Sequence, residues 1–400
     1  MTQHMFNSIA TSDSPILIVG GGLGGLALAQ ALRKRQIPYR IFDRDSAPDS
    51  RRQGWNIALH WIIADFERHF PNDLVPVESV SHMYEHGYLS EGAIFDGLHG
   101  NEVQRFGAKT GKDFIRAERP KLRAWLATNI DVEWDKMFSR FEEVDKTVKV
   151  YFTDGTMAEG CMLIGADGAN SPVRSQLLGP EKSKLEVLPM DVYTGELTLT
   201  KEEYQGQWAR FARSLYIVQS PEAYLFVGLR NISSDGNFAQ YYWMVFRHHT
   251  EAEIKCGHST KDWSKDKLLQ AARDTVEKLN PQFRELIHKT NPEGMVQPPL
   301  YMEKFLPSPE GFGGKRVTLL GDAAHKMPPF KGEGGNHAMK DGMQLVDLLD
   351  EGCPDIYGLI QQYELTIIGR GRDAVESTSF AAMNWVQGTA HSAWQDKLGR

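Results

Sequence analysis

The feature that most constrains the fold is the stretch GGGLGG at residues 20–25, which separates an apolar run from an alanine- and leucine-rich segment. Residues 16–19 are apolar throughout, as expected of a strand buried on both faces. Residues 23–35 have no helix breaker after Gly25, and a second apolar run follows at 39–42. The order strand, turn, helix, strand predicts an α/β fold that begins with a Rossmann-like domain built on a parallel sheet.

The G-x-G-x-x-G pattern in this stretch predicts a bound dinucleotide. Gly20 permits a tight turn, Gly22 lets a pyrophosphate approach the backbone, and Gly25 lets the helix pack closely on the strand. Asp43 follows the second strand, where a carboxylate can accept both ribose hydroxyls of an adenosine. Because a carboxylate disfavours a 2′-phosphate there, the site predicts FAD or NAD rather than NADP.

Two later stretches predict further turns at the carboxyl edge of a sheet. LIGADGANSPVRSQL (163–177) suits a strand that leads into a helix, although a capped structural turn would read the same. GDAAHKMPPFKGEGGNHAMKDG (321–342) follows an apolar strand at 317–320, and Asp322 stands where such sheets bind ligands. A helix is predicted from 338 to 349, and if the dinucleotide is FAD the N–H groups before this helix would stabilise negative charge on the reduced flavin ring.

The chain between these stretches is rich in β-branched and aromatic residues from 186 to 250, which predicts a second sheet. We therefore predict a discontinuous nucleotide-binding domain (14–185 and 296–355), in which the ligand is FAD or NAD, with a small β insert near 80–110. A β-rich substrate domain (186–295) interrupts it, and C-terminal helices (356–400) follow.

Charge and composition exclude several classes of function. A formal charge of -7 and a pI near 6.0, without a basic stripe, argue against a nucleic-acid partner. The three cysteines, Cys161, Cys256 and Cys353, lie far apart, which fits a reducing compartment and disfavours a cysteine zinc site. Because no apolar run approaches the roughly 20 residues needed to cross a bilayer, we predict a soluble, cytoplasmic protein without a membrane anchor.

Taken together, the three glycine-containing stretches resemble the group A flavoprotein monooxygenases, the family of para-hydroxybenzoate hydroxylase. The pattern is most similar to tetracycline-inactivating enzymes and fungal secondary-metabolite hydroxylases. The resemblance is carried by Gly20, Gly22, Gly25, Asp43, residues 165–168, Ser171, Arg174, residues 321–325, Pro328, Pro329, Gly332, Gly334, Asn336 and Asp341. One departure is Asp43, since glutamate is common at that position in the family.

The resemblance implies tightly bound FAD. The residues expected to contact it are Gly20, Gly22, Leu23, Gly24, Gly25, Asp43, Arg44, Gly54, Arg119, Arg123, Asp167, Asp322, Pro329, Gly332, Gly334, Gly335 and Asn336. Arg119 matches the family's R-x-x-L-x-x-x-L pattern, with Arg123 as a second candidate for the same contact. The flavin-side loop corresponds to residues 51–56, and Asp167 and Arg174 lie in the motif that the family links to both nucleotides.

The activity implied by the resemblance is monooxygenation. NADPH or NADH would bind transiently and reduce FAD, and dioxygen would give a C4a-hydroperoxide that hydroxylates an aromatic or polycyclic small molecule, in secondary metabolism or detoxification. Epoxidation, Baeyer–Villiger insertion, an FAD oxidase or dehydrogenase, and a non-catalytic dinucleotide-binding protein remain alternatives. The W-x-W-x-I-P signature of flavin halogenases does not occur.

On the substrate side, the prediction rests on residue type. Arg213 and Tyr224 are candidates for orienting or deprotonating a phenolic or heteroaromatic substrate. Six aromatic residues either line an apolar pocket or pack in the core: Tyr216, Tyr224, Phe226, Tyr242, Trp243 and Phe246. No metal site is predicted, because His325 and His337 have no matching carboxylate or cysteine cluster, and His325 is expected to be structural.

Overall fold

The computed structural model describes residues 10–50, 54–352 and 355–385. The strands are β1 Ile16–Val19, β2 Tyr39–Phe42, β3 Ile57–Leu59, β4 Glu91–Asp96, β5 Glu102–Gly107, β6 Ile115–Ala117, β7 Val132–Glu133, β8 Phe138–Val144, β9 Thr147–Phe152, β10 Met157–Gly160, β11 Met162–Gly165, β12 Glu186–Val187, β13 Met190–Thr200, β14 Leu215–Gln219, β15 Tyr224–Ile232, β16 Phe238–His248, β17 Glu303–Lys304 and β18 Val317–Leu319. The α-helices are α1 Leu23–Lys34, α2 Ile63–His69, α3 Arg119–Leu126, α4 Pro172–Leu178, α5 Lys201–Arg210, α6 Glu251–Lys255, α7 Lys265–Val276, α8 Glu285–Lys289, α9 Asp322–His325, α10 Gly334–Glu351 and α11 Ile356–Met383. Short 3-10 helices lie at Val77–Val80, Tyr84–His86, Pro281–Phe283, Pro292–Gly294 and Pro329–Lys331.

A five-stranded parallel sheet, in the order β18-β11-β1-β2-β7, forms the centre of the first domain. The register aligns Val19 with both Gly165 and Phe42, and Gly165 with Leu319. The carboxyl ends of β1, β2, β11 and β18 are therefore level, and the turns that follow them lie along one edge. This confirms the predicted parallel sheet.

Helices α1 and α10 pack against each other through glycines. A Cβ at Gly342 would lie 2.9 Å from the backbone of Leu28, and one at Gly24 would lie 3.0 Å from the carbonyl oxygen of Ala338. Real side chains do not tolerate the first distance, so both helices approach as backbone against backbone. This contact brings the start of α10 close to the glycine stretch that begins α1.

The second domain is a six-stranded sheet in the order β13-β16-β15-β14-β4-β5. Its pairs are antiparallel except β14 with β4. The β insert predicted near 80–110 as part of the FAD-binding domain instead supplies β4 and β5, one edge of this sheet. A strand pattern identifies a strand but not its partner, which explains the misplaced boundary.

Most element types agree with the sequence, and the boundaries differ locally. The strands β1 and β2 and the four long strands from β13 to β16 are confirmed. Helix α10 begins at Gly334, four residues before the predicted start. The C-terminal region contains the single helix α11 within the described residues, and the prediction for 386–400 lies outside them. None of the described helices is both long and apolar enough to span a membrane.

Candidate functional site

Three turns converge at the carboxyl edge of the parallel sheet. The backbone N–H of Ala166 donates to the carbonyl of Val19 at 2.8 Å, and that of Leu320 donates to the carbonyl of Gly165 at 3.0 Å. Gly20 has a φ of +119°, and a Cβ there would lie 2.2 Å from the Ala166 carbonyl oxygen. The first and second turns are thus in backbone contact, and the third joins them through β18.

The glycine stretch has the geometry expected of a dinucleotide turn. A Cβ at Gly25 would lie 2.0 Å from the carbonyl oxygen of Gly20, so α1 can leave the turn only if that residue is glycine. A Cβ at Gly22 would meet nothing within 4 Å, which leaves open space above the turn and in front of Leu23, the first residue of α1. An exposed backbone at a helix N-terminus is suited to binding phosphate.

Asp43 stabilises this turn. Its Oδ2 accepts the N–H of Gly21 at 2.7 Å, and its Oδ1 accepts the N–H of Asp45 at 2.8 Å. The carboxylate is 6% exposed, whereas the neighbouring Arg44 is exposed. A carboxylate has about four acceptor sites, so these two bonds leave capacity for ribose hydroxyls.

The two arginines proposed for FAD occupy different environments. Arg123 is 4% exposed, donates from Nε to the Gly21 carbonyl at 2.9 Å, and lies 3.7 and 3.8 Å from the carboxylates of Asp43 and Asp45. Arg119 is exposed at the start of α3, with its guanidinium 3.6 Å from where a Cβ of Gly54 would stand. Arg123 therefore supports the turn from inside, while Arg119 lies beside the proposed flavin loop, whose residues 51–53 are outside the described range.

In the second turn, Asp167 has a free acceptor atom. Its Oδ2 accepts the N–H of Val173 at 3.1 Å, whereas its Oδ1 is buried without a partner. Burial raises the pKa of Asp167, against the opposing hydrogen bonds of Ser171 and Val173. A ligand hydroxyl or amide would satisfy Oδ1.

Arg174 joins the second turn to the third. Its guanidinium, 2% exposed, donates to the carbonyls of Ser183, Asp322, Ala323 and Ala169. All of these acceptors are backbone oxygens, so the side chain fixes the path of the chain around the site. The motif pointed to this arginine, but its link to the third turn is a tertiary contact that the sequence does not show.

The third turn places Asp322 beside the start of α10. Gly321 has a φ of +60°, and a Cβ at Gly334 would lie 3.7 Å from Oδ1 of Asp322. Because α10 begins at Gly334, the N–H groups of its first turn, which includes Gly335 and Asn336, have no partner within the helix. A carboxylate and bare N–H groups therefore face the same region.

The loop before α10 lies close to β3. Pro329 begins a short 3-10 helix that ends at Lys331, and the next residue, Gly332, has a φ of +66°. The side-chain amide of Asn336 donates to the carbonyl of Ala58 at 2.8 Å, and a Cβ at Gly335 would contact Ile57 at 3.3 Å. Gly335 and Asn336, two of the predicted flavin-ring residues, thus lie beside β3.

A buried ionic network holds this third turn in place. Asp341, fully buried, accepts the N–H of Gly321 at 2.7 Å and bonds His325 Nε2 at 2.7 Å, while Arg370 of α11 donates to its other oxygen. Burial by itself would raise the pKa of Asp341, but His325, Arg370 and the Gly321 N–H lower it to about 2. His325 thus has a structural partner, which the sequence did not identify.

The inner face of the six-stranded sheet, which we define by Tyr224, Phe226, Tyr242 and Phe246, packs toward the FAD-binding domain with Phe330. The ring centroids of Tyr224 and Phe330 are 4.4 Å apart. Strand alternation places the other two predicted aromatics, Tyr216 and Trp243, on the opposite face among α5, α7 and α8. Four of the six aromatic candidates therefore lie on the inner face and two on the opposite face, and all of them except Phe226 are buried.

Arg213 and Tyr224, the predicted catalytic residues, lie apart. Tyr224 pairs with Gln219 at one end of the β14–β15 hairpin, whereas Arg213 precedes Leu215 at the other end. Arg213 donates to Glu91 at 3.0 Å. The two residues do not form one acid–base pair, and burial raises the pKa of Tyr224.

A cluster outside this site has metal-ligand residue types. Asp191, His249 and His258 bring possible ligand atoms within 4.8 Å of one another. The same carboxylate also accepts hydrogen bonds from Arg247 and from the Tyr193 hydroxyl. A guanidinium in direct contact opposes a cation, so we interpret the cluster as a buried carboxylate neutralised by its donors.

Comparison with known proteins identifies similar families. A family profile described as "FAD binding domain" matches residues 120–353, and one described as "NAD(P)-binding Rossmann-like domain" matches residues 18–55. The FAD-dependent monooxygenase thnD of Trichoderma harzianum is 36% identical over 390 residues, covering 94% of this chain and 93% of that protein. The FAD-dependent monooxygenase dbaB of Emericella nidulans is 29% identical over 350 residues, covering 83% and 85%.

Solved structures share the fold. Klebsiella pneumoniae HpxO complexed with FAD and uric acid has a TM-score of 0.75 at 20% identity, covering 98% of this chain and 95% of that one. The tetracycline destructase Tet(51) has a TM-score of 0.63 at 14% identity, covering 96% of each chain. The open space at Gly22, the unpaired Oδ1 of Asp167 and the first turn of α10 fit a dinucleotide that ends in a flavin.

Proposed function

Because this chain belongs to the FAD-dependent monooxygenases, we propose that it uses NADPH or NADH to reduce bound FAD and then hydroxylates an aromatic or polycyclic small molecule with one oxygen atom of dioxygen. The observation that carries the proposal is the convergence of the three turns at 20–25, 165–168 and 321–322 on one sheet edge, opposite the start of α10. FAD supplies the redox and oxygen chemistry.

The two domains divide this work in our proposal. Residues 14–185 and 296–355 hold FAD, apart from the strands β4 and β5, which belong to the substrate sheet. The inner face of that sheet supplies an aromatic wall, with Tyr224, Phe246 and Phe330 in mutual contact. Such a wall orients a flat apolar ring and excludes water. A heteroaromatic ligand, uric acid, occurs in the HpxO structure, which has the same fold.

We further propose a role in secondary metabolism or detoxification in the cytoplasm, where reduced nicotinamides are available. Aromatic residues dominate the inner face, which suits polycyclic natural products. NADPH or NADH would bind only during flavin reduction.

The test is an anaerobic reduction followed by product analysis. We expect the purified holoenzyme to lose its flavin absorbance with NADPH or NADH, faster when an aromatic substrate is present. After ¹⁸O₂ is admitted, the product should gain one labelled oxygen on a ring carbon. Bleaching by substrate without nicotinamide would indicate an oxidase or dehydrogenase, and a labelled epoxide or lactone would indicate epoxidation or Baeyer–Villiger insertion.

A further inference from the structure

Arg116 is a buried cation at the junction of the two domains. It lies in β6, where it pairs with Ala58 of β3, and it is 5% exposed. Its guanidinium donates to the hydroxyl of Tyr242 and stands 5.4 Å from the ring centroid of Phe226. Both partners belong to the inner face, so the charge points at the proposed substrate side.

This guanidinium is incompletely satisfied. Its Nε is buried without a hydrogen-bond partner. Within residues 10–50, 54–352 and 355–385, no carboxylate lies within 4.0 Å of it. Arginine remains protonated inside proteins, so it cannot relieve the cost of burial by losing its proton. An uncompensated buried charge is strongly unfavourable unless a counter-ion arrives.

Other buried arginines of the chain are compensated. Arg123 lies near Asp43 and Asp45, and Arg174 donates to four backbone carbonyls. Two arginines with partly buried side chains pair with fully or nearly fully buried aspartates: Arg247 with Asp191 and Arg370 with Asp341. Arg116 therefore differs from these four arginines, because it has neither a carboxylate partner nor a set of backbone carbonyl acceptors.

Tyr242 adds a second donor. Its hydroxyl oxygen accepts from Arg116, and no oxygen among the described residues accepts its hydrogen. The ring is held between Trp55, stacked at 5.5 Å, and Phe226 at 5.6 Å. The free hydrogen of Tyr242 and the free Nε–H of Arg116 thus form a preorganised pair of donors.

The pair lies close to the start of α10. Ala58, opposite Arg116, accepts the amide of Asn336 in the first turn of that helix. Asn56, two residues earlier, has a buried Oδ1 without a partner. Unsatisfied polar atoms therefore cluster between the proposed flavin position and the inner face.

We propose that Arg116 and Tyr242 bind an oxyanion carried by the aromatic substrate, a phenolate or enolate oxygen or a carboxylate. This inference rests on the proposed function, since it names the substrate group that the same site recognises. The bound anion neutralises Arg116, and in a phenolate or enolate it also keeps the ring electron-rich at the carbon that is oxidised. Arg116 is thus a specificity-determining residue.

The first test needs no substrate. In the FAD-loaded, ligand-free enzyme we expect Arg116→Met to leave the melting temperature unchanged or to raise it, because the charge lacks a counter-ion. Arg174→Met is the matched control and should lower the melting temperature by several degrees, since four backbone carbonyls lose their donors. A loss in Arg116→Met as large as in Arg174→Met would show a structural arginine and overturn the proposal.

The second test measures binding with matched naphthalene probes: 2,4-dinitro-1-naphtholate, 1-naphthoate and neutral 1-naphthamide. Wild type should bind at least one anion about 10-fold more tightly than the amide, a difference that Arg116→Met abolishes and Arg116→Lys partly restores. Whichever of the two anions binds more tightly shows whether the site prefers a phenolate or a carboxylate. Equal binding of charged and neutral probes, or an unchanged preference in Arg116→Met, would overturn the proposal.

An experiment that overturns the anion site can be told apart from one that overturns the proposed monooxygenase function. Flavin bleaching by NADPH or NADH in the absence of substrate reports the proposed function and does not involve the anion site. An enzyme that is not reduced by either nicotinamide but still discriminates the probes would retain the site and lose the monooxygenase mechanism.

Discussion

The carboxyl edge of the parallel sheet and the inner face of the six-stranded sheet are built in opposite ways. The edge presents backbone groups from short, contiguous turns such as residues 20–25 and 321–322. The inner face presents side chains from β15 and β16, and Arg116, from β6 of a different sheet, meets Tyr242 of this face. A site made of backbone needs particular local conformations, whereas a site made of side chains needs correct assembly.

This difference explains which site tolerates change. Every member of the family must hold the same FAD, and backbone N–H groups recognise it independently of most side chains. The inner face can exchange side chains without altering the strands that carry them, so it is where substrate preference is expected to vary.

The largest effect should come from substituting glycines in the first turn at the carboxyl edge of the parallel sheet. Gly25→Val should abolish the folded holoenzyme, because a Cβ there would lie 2.0 Å from the Gly20 carbonyl oxygen. Gly22→Ala is the matched variant: its Cβ meets no protein atom within 4 Å, so the apoprotein should keep its melting temperature while FAD affinity falls by about 10-fold or more. Isothermal titration with FAD measures this, and unchanged affinity in Gly22→Ala would place the pyrophosphate elsewhere.

The second largest effect should come from the network beneath the edge. Asp341→Asn should lower the free energy of unfolding by about 3 kcal/mol, since it leaves Arg370 without its buried carboxylate. Asp350→Asn, in the same helix but in a partly exposed pair with Arg35, should cost at most about 1 kcal/mol. Urea unfolding monitored by circular dichroism compares the two, and equal losses would contradict the importance of the buried network.

A smaller, pH-dependent effect should come from His337 at the edge. Its Nδ1 accepts from Arg370 at 2.7 Å, and burial, Arg370 and His325 lower its pKa from 6.5 to about 3. The unfolded chain therefore binds a proton at this histidine near pH 6.5, whereas the folded protein binds it only near pH 3. The free energy of unfolding consequently decreases as the pH is lowered from about 6.5 to about 3.

The loss attributable to His337 is about 1.4 kcal/mol per pH unit at most, and roughly 2 kcal/mol between pH 6.5 and 5. Urea titrations at both pH values should show a shallower decline in His337→Gln than in wild type. A decline as steep as that of wild type would mean that other groups carry the effect.

The smallest effect should come from the residues that the sequence suggested as catalytic. Tyr224→Phe and Arg213→Ala should each keep turnover within about twofold, because Tyr224 packs on Phe330 and Arg213 pairs with the half-buried Glu91. A true acid–base group would cost about 100-fold or more. Steady-state measurements of kcat for both variants and wild type test this prediction. A loss of about 100-fold in Tyr224→Phe would show that the Tyr224 hydroxyl is catalytic.

Much of the fold could be read from local patterns. The GGGLGG turn, the strand before it and Asp43 after it need only a few neighbouring residues to be recognised. The sequence predicts the start of α10 four residues late because Gly334 and Gly335 are poor helix formers, whereas in the fold they lie beside Asp322 and Ile57. The attribution of β4 and β5 to the FAD-binding domain failed because strand pairing is a long-range property.

By itself, the sequence predicted a dinucleotide at the carboxyl edge of a parallel sheet, since the glycines at 20, 22 and 25 follow a strand, begin a helix and are accompanied by Asp43 after the next strand. Only the tertiary structure decided which side chains share the inner face of the six-stranded sheet. Alternation separates Tyr242 from Trp243, and the packing of the β3–β6 pair against the six-stranded sheet brings Arg116 to Tyr242 across more than a hundred residues. The physical reason is that backbone conformation follows from local sterics, whereas burial of a charge is known only when its surroundings are assembled.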